Sequence, residues 1–286
     1  MQYNQYTNVN AFHTDVSNLL MRHEAQNVIP LGNIIIGVEG KDKEGWRDPA
    51  NWYMATVSDE TGIKLVAIMT PPHNITLYAT DNQNNPEALR CLCNNMAQNN
   101  ISTPGVMAEK SLAELFAQLY ATSYKVTMAQ RIYELTEVNP QIPTAPLRLA
   151  TERDLAFVPY WDAGFFSSTV DGQAKPIEIS ENLEQYRYHI RTGRLYIMED
   201  KGIPVTMAKI SRDLENVCVI GYVYTPPYFR KKGYATACVA AVSQIGLDRG
   251  FKKCVLYTDL ANPTSNSIYQ KIGYKPICDS VMIGFE

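Results

Sequence analysis

The sequence has little of what metal centres require. Its four histidines are scattered along the chain, and its cysteines include no Cys-x-x-Cys pair. The six cysteines are Cys91, Cys93, Cys218, Cys238, Cys254 and Cys278. Because metal-ligand spacing is absent, we expect no metal cofactor, and we expect reduced cysteines that serve as small core residues.

Long apolar runs are also missing. The most apolar window, residues 28–38, is interrupted by Pro30 and Gly32 and falls well short of the ~20 apolar residues that span a bilayer. Residues 1–16 contain neither a basic n-region nor an apolar h-region, so no signal peptide is predicted. We therefore expect a cytoplasmic protein without a membrane partner.

The chain has no excess of positive charge. Its formal net charge is −3 and its pI is near 5.9, which argues against a nucleic-acid partner because binding to phosphates needs a basic face. A small molecule or a peptide is the expected partner. The hydrophobic content of 45% and the charged content of 19% are ordinary for a globular protein.

At 286 residues the chain is long for one compact core and suits two domains of roughly 140 residues each. The segment 139–147, NPQIPTAPL, contains three prolines and disfavours helix. We predict domains at 1–139 and 148–286, joined by a proline-rich linker at 140–147. The oligomeric state is left open.

Two short matches suggest that the chain repeats itself. Thr-Pro-Pro occurs at 70–72 and at 225–227, each time after an apolar run, and Tyr-Lys occurs at 124–125 and at 274–275. The offsets of 155 and 150 residues are nearly constant. This spacing predicts two copies of one fold, in which Gly233 of the second copy aligns roughly with Leu77 of the first.

The second half shows a clear order of elements. Alternating β-branched and aromatic residues predict strands at 194–200, 204–210, 216–225 and 252–259. Helical spacing of apolar residues predicts a helix over about 233–249. Asn262 followed by Pro263 is a favoured N-cap and N1 pair, so a further helix is expected to begin there and to end at Gly273.

The stretch TPPYFRKKGYATACVA at 225–240 places basic residues and a glycine directly before the first of these helices. Unpaired N–H groups at a helix N-terminus form an anion site, and glycine lets a phosphate approach the main chain. A diphosphate is the natural ligand. A charge run before a helix is also typical of a plain solvated loop.

The combined order of strand, R-x-x-G-x-A, helix, strand and N-x-x-S-x-x-x-Y-x-x-x-G-Y resembles the GCN5-related N-acetyltransferase (GNAT) family over about residues 146–286. The resemblance implies an α/β (α+β) fold of two GNAT-like domains, each a mixed, mostly antiparallel twisted sheet flanked by helices. The first copy would be degenerate, since it lacks the glycine and the basic residues of the loop.

The resemblance also implies a site for acetyl-CoA as co-substrate. The main chain at 230–235 would hold the pyrophosphate, and a strand that splays away from its neighbour would hold the pantetheine and the thioester carbonyl. An asparagine would contact the CoA arm, and a tyrosine, Tyr269, would protonate the leaving thiolate. The implied binding residues are Val223, Tyr224, Thr225, Arg230, Lys231, Lys232, Gly233, Tyr234, Ala235, Asn262, Ser265 and Asn266.

The implied reaction is direct acetyl transfer in a ternary complex to a primary amine of a small molecule or protein. The spacing selects no general base. The candidates are Glu152, Asp162, Glu178, Asp259 and His189. Aromatic residues in 151–193 suit either an acceptor pocket or core packing. Structural roles stay open for Gly233 as a turn glycine, Asn262 as a cap and Tyr269 as a core aromatic. Two other functions also stay open: a CoA-binding sensor or scaffold without turnover, and transfer of a longer acyl group.

Overall fold

The computed structural model describes residues 1–40, 48–80, 84–169 and 179–286. They form two compact units. The first unit comprises Met1–Arg131 and Cys278–Glu286, and the second comprises Ile132–Ile277. The predicted linker, 140–147, lies inside the second unit.

In the first unit, two helices follow the first strand, and two more flank the last strands. Its elements are β1 (Gln2–Tyr6), α1 (Val9–Met21), α2 (Val28–Glu39), β2 (Tyr53–Asp59), β3 (Gly62–Met69), β4 (Ile75–Ala79), α3 (Pro86–Gln98), β5 (Gly105–Glu109) and α4 (Lys110–Tyr120). Strands β1 to β4 pair antiparallel in sequence order, and β4 pairs parallel with β5. Strand β5 then pairs antiparallel with Ser280–Gly284.

The second unit begins within a long strand that starts in the first. The elements from this strand onward are β6 (Tyr124–Leu135), β7 (Leu147–Leu149), α5 (Val158–Thr169), α6 (Ile179–Arg191), β8 (Leu195–Asp200), β9 (Ile203–Asp213), β10 (Val217–Tyr224), α7 (Tyr234–Asp248), β11 (Lys253–Asp259), α8 (Pro263–Ile272) and β12 (Lys275–Phe285). From Cys278 onward, β12 belongs to the first unit. Strands β7 to β10 pair antiparallel in order, and β10 pairs parallel with β11. The mixed, mostly antiparallel sheet of the predicted α/β fold is confirmed.

The same order of elements occurs twice along the chain, from β1 to β6 and from β7 to β12: one strand, two helices, three antiparallel strands, a helix, a parallel strand, a helix and a final strand. The Tyr-Lys match holds, since Tyr124 begins β6 and Lys275 begins β12. The Thr-Pro-Pro match is wrong as an alignment, because 70–72 lies between β3 and β4 whereas 225–227 lies between β10 and α7. By order of elements, the counterpart of Gly233 is Asn85, the N-cap of α3, and not Leu77.

The core of the second unit lies between the sheet and α7. This helix has buried apolar residues at Cys238, Val239 and Val242, and they pack with Cys218 of β10 and Cys254 of β11. All six cysteines are free. Helix α7 packs closely on the sheet at Gly246, where an added Cβ would be 2.6 Å from the Cys218 Sγ. The small cysteine side chains fit this narrow space.

Among the described residues, no helix combines the length and the apolar character that crossing a membrane requires. The apolar helix α2, for example, has only 12 residues.

Candidate functional site

Strands β10 and β11 diverge after a short stretch of pairing. The parallel pairing joins Val217, Cys218 and Val219 to Lys253, Cys254 and Val255. Both strands continue beyond it, β10 to Tyr224 and β11 to Asp259. Where the two strands diverge, the N–H and C=O groups on their facing edges do not pair with each other. A bound ligand can pair with them, since buried main-chain groups require a hydrogen-bond partner.

A bulge bends β10 at the same place. Gly221 pairs with Lys209 and Tyr224 pairs with Met207 of β9, so Tyr222 and Val223 together face the single residue between those partners. Tyr222 has a φ of +54°, which is unusual for a non-glycine residue in a strand. Such bulges redirect the chain next to functional sites, and this one turns the main chain near Val223 out of the regular ladder.

The loop before α7 is held in an uncommon conformation. Gly233 is the N-cap of α7 with φ +84°, and Lys231 has φ +63°. A Cβ added at Gly233 would meet nothing within 4 Å. The glycine is therefore required by its backbone angle, and the open space lies where a ligand can approach the first N–H groups of α7, which have no acceptor within the helix.

The basic residues of the loop are solvent-accessible. Arg230, Lys231 and Lys232 are all exposed. Arg230 also braces the end of β10, since its Nε donates to the carbonyl of Thr225 at 2.9 Å. The hydroxyl of Tyr234, at the start of α7, donates to Asp200. The segment 230–235 thus places positive charge around the helix N-terminus.

Helix α8 begins at the predicted cap. The Asn262 Oδ1 accepts from the Ser265 N–H at 3.0 Å. Asn266 Nδ2 donates to the carbonyls of Asp259 and Asn262 at 2.9 and 2.8 Å. Its Oδ1 accepts from the Tyr133 hydroxyl at 3.2 Å. The two asparagines therefore fix the start of α8 against the end of β11.

Tyr269 lies in the core on α8, with a ring centroid 6.5 Å from that of Tyr133 and 6.1 Å from that of Tyr274. Burial raises the pKa of the Tyr269 hydroxyl to about 12, although a hydrogen bond with Ser265 lowers it. A hydroxyl with this pKa stays protonated at neutral pH, as a proton donor must.

A buried polar cluster lies between α5, α6 and the bulge. The Tyr186 hydroxyl donates to the Asp162 Oδ2 at 2.8 Å. Lys209 is only 5% exposed, its Nζ lies 3.9 Å from the Tyr222 ring centroid, and the same Nζ lies 2.8 Å from the His189 Nε2. Ionisable groups enclosed in this way are typical of functional sites.

Helix α5 packs directly on the bulged part of β10. Phe165 stacks on Tyr222 with centroids 5.4 Å apart, and the Trp161 centroid lies 6.3 Å from that of Tyr224. Gly164 permits this approach, because a Cβ there would be 2.3 Å from the Tyr224 hydroxyl. Tyr160 and Phe166 stay largely exposed. The aromatic residues of 151–193 thus include both core and surface positions.

Three other candidate bases have different surroundings. Glu152 is exposed and lies 3.4 Å from Arg187, His189 contacts Lys209, and Asp259 accepts from the Ala261 N–H in a turn. Glu178 lies outside the described residues. No group of three or more potential metal ligands occurs in the described part of the chain.

Comparison with known proteins decides the family. Residues 161–274 match the acetyltransferase (GNAT) family model, and this range runs from within α5 to the end of α8 and includes the bulge and the loop before α7. The second unit contains a GNAT family domain at residues 161–274. Acyl-CoA-dependent acetyl transfer is the general activity of GNAT proteins, and we call Ile132–Ile277 the GNAT domain. A search of curated protein sequences finds no significant match.

Solved structures share the fold over almost the whole chain. An acetyltransferase from the GNAT family of Colwellia psychrerythraea has 12% identity and a TM-score of 0.60, with 100% of both chains covered. A GCN5-related N-acetyltransferase from Sphaerobacter thermophilus has 12% identity and a TM-score of 0.59, covering 98% of this chain and 94% of its own. A Drosophila protein has 11% identity and a TM-score of 0.64, covering 99% and 98%. These identities establish likeness of fold only.

The sequence did not single out Lys209 and Tyr222, and it included Tyr186 only among the aromatic residues of 151–193, which suit either an acceptor pocket or core packing. Lys209 stands within the otherwise apolar strand segment 204–210. Because lysine is almost never fully buried without a partner, this position could have indicated a buried polar cluster. The bulge at Tyr222 left no signal, since tyrosine is common in regular strands.

Proposed function

We propose that the GNAT domain is an acetyl-CoA-dependent N-acetyltransferase that acts on a primary amine by direct transfer in a ternary complex. One observation supports this most: strands β10 and β11 diverge beside a bulge at Tyr222, next to a helix whose N-cap, Gly233, has φ +84°. A thioester arm fits between diverging strands, and a diphosphate fits at such a helix N-terminus.

The residues of the loop suit the donor. Open space at Gly233 admits a phosphate to the amides of Tyr234 and Ala235, while Arg230, Lys231 and Lys232 supply positive charge. Asn262, Ser265 and Asn266 are proposed to contact the CoA arm from α8.

The main chain of β10 is proposed to orient the acetyl group. An N–H at Val223 or Tyr224, turned out of the ladder by the bulge, would stabilise negative charge on the thioester oxygen. The Thr225 main chain would contact the pantetheine through its N–H, because its carbonyl already accepts from Arg230. Acetyl-CoA supplies the activated acetyl group and a thiolate leaving group.

Tyr269 is proposed to protonate that thiolate. Its burial and raised pKa keep the proton on the hydroxyl at neutral pH. No cysteine nucleophile is needed, and the buried Cys238 thiol, whose pKa burial raises to about 12, is poorly suited to be one.

The first unit is proposed to be a degenerate copy that does not bind acetyl-CoA. Its segment between β4 and α3, TDNQNN at 80–85, contains neither glycine nor a basic residue. It has an asparagine N-cap, Asn85, where the GNAT domain has Gly233.

The deciding experiment is calorimetric titration of acetyl-CoA into the wild type and Gly233→Glu, which places an anion in the diphosphate position. Lys252→Glu makes the chain more negative by two charges, one more than Gly233→Glu does, at an exposed position away from the loop. We expect one site per chain in the wild type, no binding in Gly233→Glu and unchanged binding in Lys252→Glu. Binding that survives Gly233→Glu contradicts the proposal. Binding without thiol release in the presence of amines would instead favour a CoA sensor.

A further inference from the structure

The four candidate bases in the described part of the chain differ in what surrounds them, and among these four Asp162 is the carboxylate that joins the enclosed cluster at the bulge. It lies on α5 between Trp161 and Phe165, the two aromatic residues that contact Tyr224 and Tyr222 of β10. Its side chain is therefore on the helix that covers the bulged strand, where the proposed acetyl site lies.

Within the described residues, one hydrogen bond holds the Asp162 side chain. The Tyr186 hydroxyl of α6 donates to Oδ2 at 2.8 Å, and Tyr186 itself is buried. The pKa of Tyr186 is raised by burial and by the Asp162 charge, so the hydroxyl keeps its proton and remains a donor. A carboxylate fixed through one oxygen keeps its second oxygen available for a proton.

We propose that Asp162 is the general base of the acetyl transfer and that it takes the proton from the acceptor ammonium, with Tyr186 as the residue that positions it. This inference rests on the proposed N-acetyltransferase function and adds the proton acceptor that the sequence left open. It also defines the acceptor as an amine that arrives as a cation.

The ammonium R–NH₃⁺ gives one proton to the Asp162 carboxylate and becomes R–NH₂. The nitrogen then bonds to the acetyl carbon as the carbon–sulfur bond breaks, and the electron pair of that bond leaves on sulfur. The nitrogen loses its second proton to water as the amide forms, and Tyr269 gives its hydroxyl proton to the thiolate and regains a proton from water. The proton on Asp162 is released to water, so each turnover yields the amide, the free thiol and one proton.

The electrostatics of the cluster suit a base that works near neutral pH. Burial raises the pKa of Asp162, the Tyr186 hydrogen bond and the positive charge of Lys209 lower it, and the net shift is upward. A pKa moved toward the working pH favours general base catalysis.

The groups that face Asp162 come from three elements. Helix α6 contributes Tyr186, which contacts Asp162 directly, and His189, which contacts Lys209. Strand β9 contributes Lys209 and strand β10 contributes Tyr222, whose pKa the Asp162 charge raises in addition to the larger effect of burial. Arg212 of β9 acts on Tyr222 as well.

The test compares two nucleophiles in a thiol-release assay with acetyl-CoA. Hydroxylamine is uncharged at neutral pH and needs no deprotonation before attack, whereas 2-phenylethylamine is a cation there. In Asp162→Asn we expect turnover of 2-phenylethylamine to fall by about 10²- to 10⁴-fold and turnover of hydroxylamine to stay within a few-fold of the wild type. The acid limb of the kcat/KM profile for 2-phenylethylamine should disappear.

Two further variants complete the design. Tyr186→Phe removes only the positioning hydroxyl and should shift the acid limb without abolishing turnover. Glu184→Gln, two residues earlier on α6, removes an exposed carboxylate that pairs with Arg187 and should change nothing. Calorimetric titration of acetyl-CoA into Asp162→Asn should match the wild type and shows that the variant is folded.

The outcomes separate the two proposals. Equal losses with both nucleophiles mean that Asp162 only supports the structure, and undiminished turnover of 2-phenylethylamine means that it is not the base. Either result overturns this inference and leaves the proposed function standing. A wild type that binds acetyl-CoA but releases thiol with neither nucleophile overturns both.

Discussion

Lys209 of β9 places its ammonium 3.9 Å from the ring centroid of Tyr222, the β10 residue with a φ of +54°. Phe165 stacks on the same ring at 5.4 Å. A cation over an aromatic ring in a buried place contributes up to about 2 kcal/mol. These contacts therefore offset the backbone strain of the bulge, which costs roughly 1–3 kcal/mol.

Replacing this tyrosine should reveal that contribution. We expect Tyr222→Leu to lower the free energy of unfolding by about 2–3 kcal/mol, because the buried ammonium loses its ring and a stacked pair is lost. Urea denaturation measures the change. Tyr228→Leu is the matched control, since Tyr228 is 87% exposed, and its stability should equal that of the wild type. Equal stability of the two variants would contradict this account of the bulge.

A second prediction concerns the close approach of α7 to the sheet. An added Cβ at Gly246 would lie 2.6 Å from the Cys218 Sγ and 3.1 Å from the Cys254 Sγ, so Gly246→Ala should cost about 1–3 kcal/mol of stability through overpacking. The double variant with Cys218→Ala should recover part of that loss, because it removes the nearer sulfur. Thermal or urea unfolding of the two singles and the double decides this, and simple additivity would refute it.

A third prediction concerns acid stability. Both oxygens of Asp154 accept from the Arg148 guanidinium at 2.8 Å, and Oδ2 also accepts from the Thr151 N–H at 2.7 Å. Burial raises the pKa of Asp154, but these hydrogen bonds outweigh burial, and the net pKa is lowered.

A carboxyl group whose pKa is lowered in the folded state stabilises the fold at pH values above its unfolded pKa of about 4. This stabilisation is lost as the pH falls from there through the folded-state pKa. Asp154→Asn should therefore cost roughly 3 kcal/mol at neutral pH and progressively less below about pH 4. Urea unfolding at both pH values measures the difference. A cost that does not depend on pH would show that the charge is not what matters.

A fourth prediction concerns the proposed acid. Tyr269→Phe should lower kcat for acetyl transfer by about 10²-fold, because the thiolate then leaves without a proton, while acetyl-CoA affinity stays unchanged. Tyr124→Phe serves as a comparison that removes the hydroxyl of an exposed tyrosine of β6, and it should leave kcat near the wild-type value. If Tyr269→Phe keeps full activity, Tyr269 is only a core aromatic.

Local patterns in the sequence predicted much of the GNAT domain. Alternation of apolar residues predicted the antiparallel strands β8 to β10. Cap chemistry predicted the helix start at Asn262, and glycine with helical spacing predicted the helix after Gly233. Each of these signals acts over only a few residues. The resemblance to the GNAT family is confirmed on the same segments. The assignment of individual binding residues remains a prediction.

What the sequence could not predict depends on contacts between distant residues. The hydrogen bond between Tyr186 and Asp162 spans 24 residues, and the Lys209 contact with Tyr222 requires the exact register of β9 against a bulged β10. The Thr-Pro-Pro alignment failed for a related reason. A short turn motif suits any strand end, so its spacing alone did not identify equivalent positions.

The pairing of β5 with β12 has a consequence for the time course of synthesis. Ser280 donates to the Ala108 carbonyl at 2.9 Å across a separation of 172 residues. At the rate of translation this interval amounts to roughly 10–30 s. During that time β5 has been made but β12 has not, so one edge of β5 has unpaired main-chain groups and can pair with other chains. The first unit to leave the ribosome is thus completed only after nearly all of the second has been made.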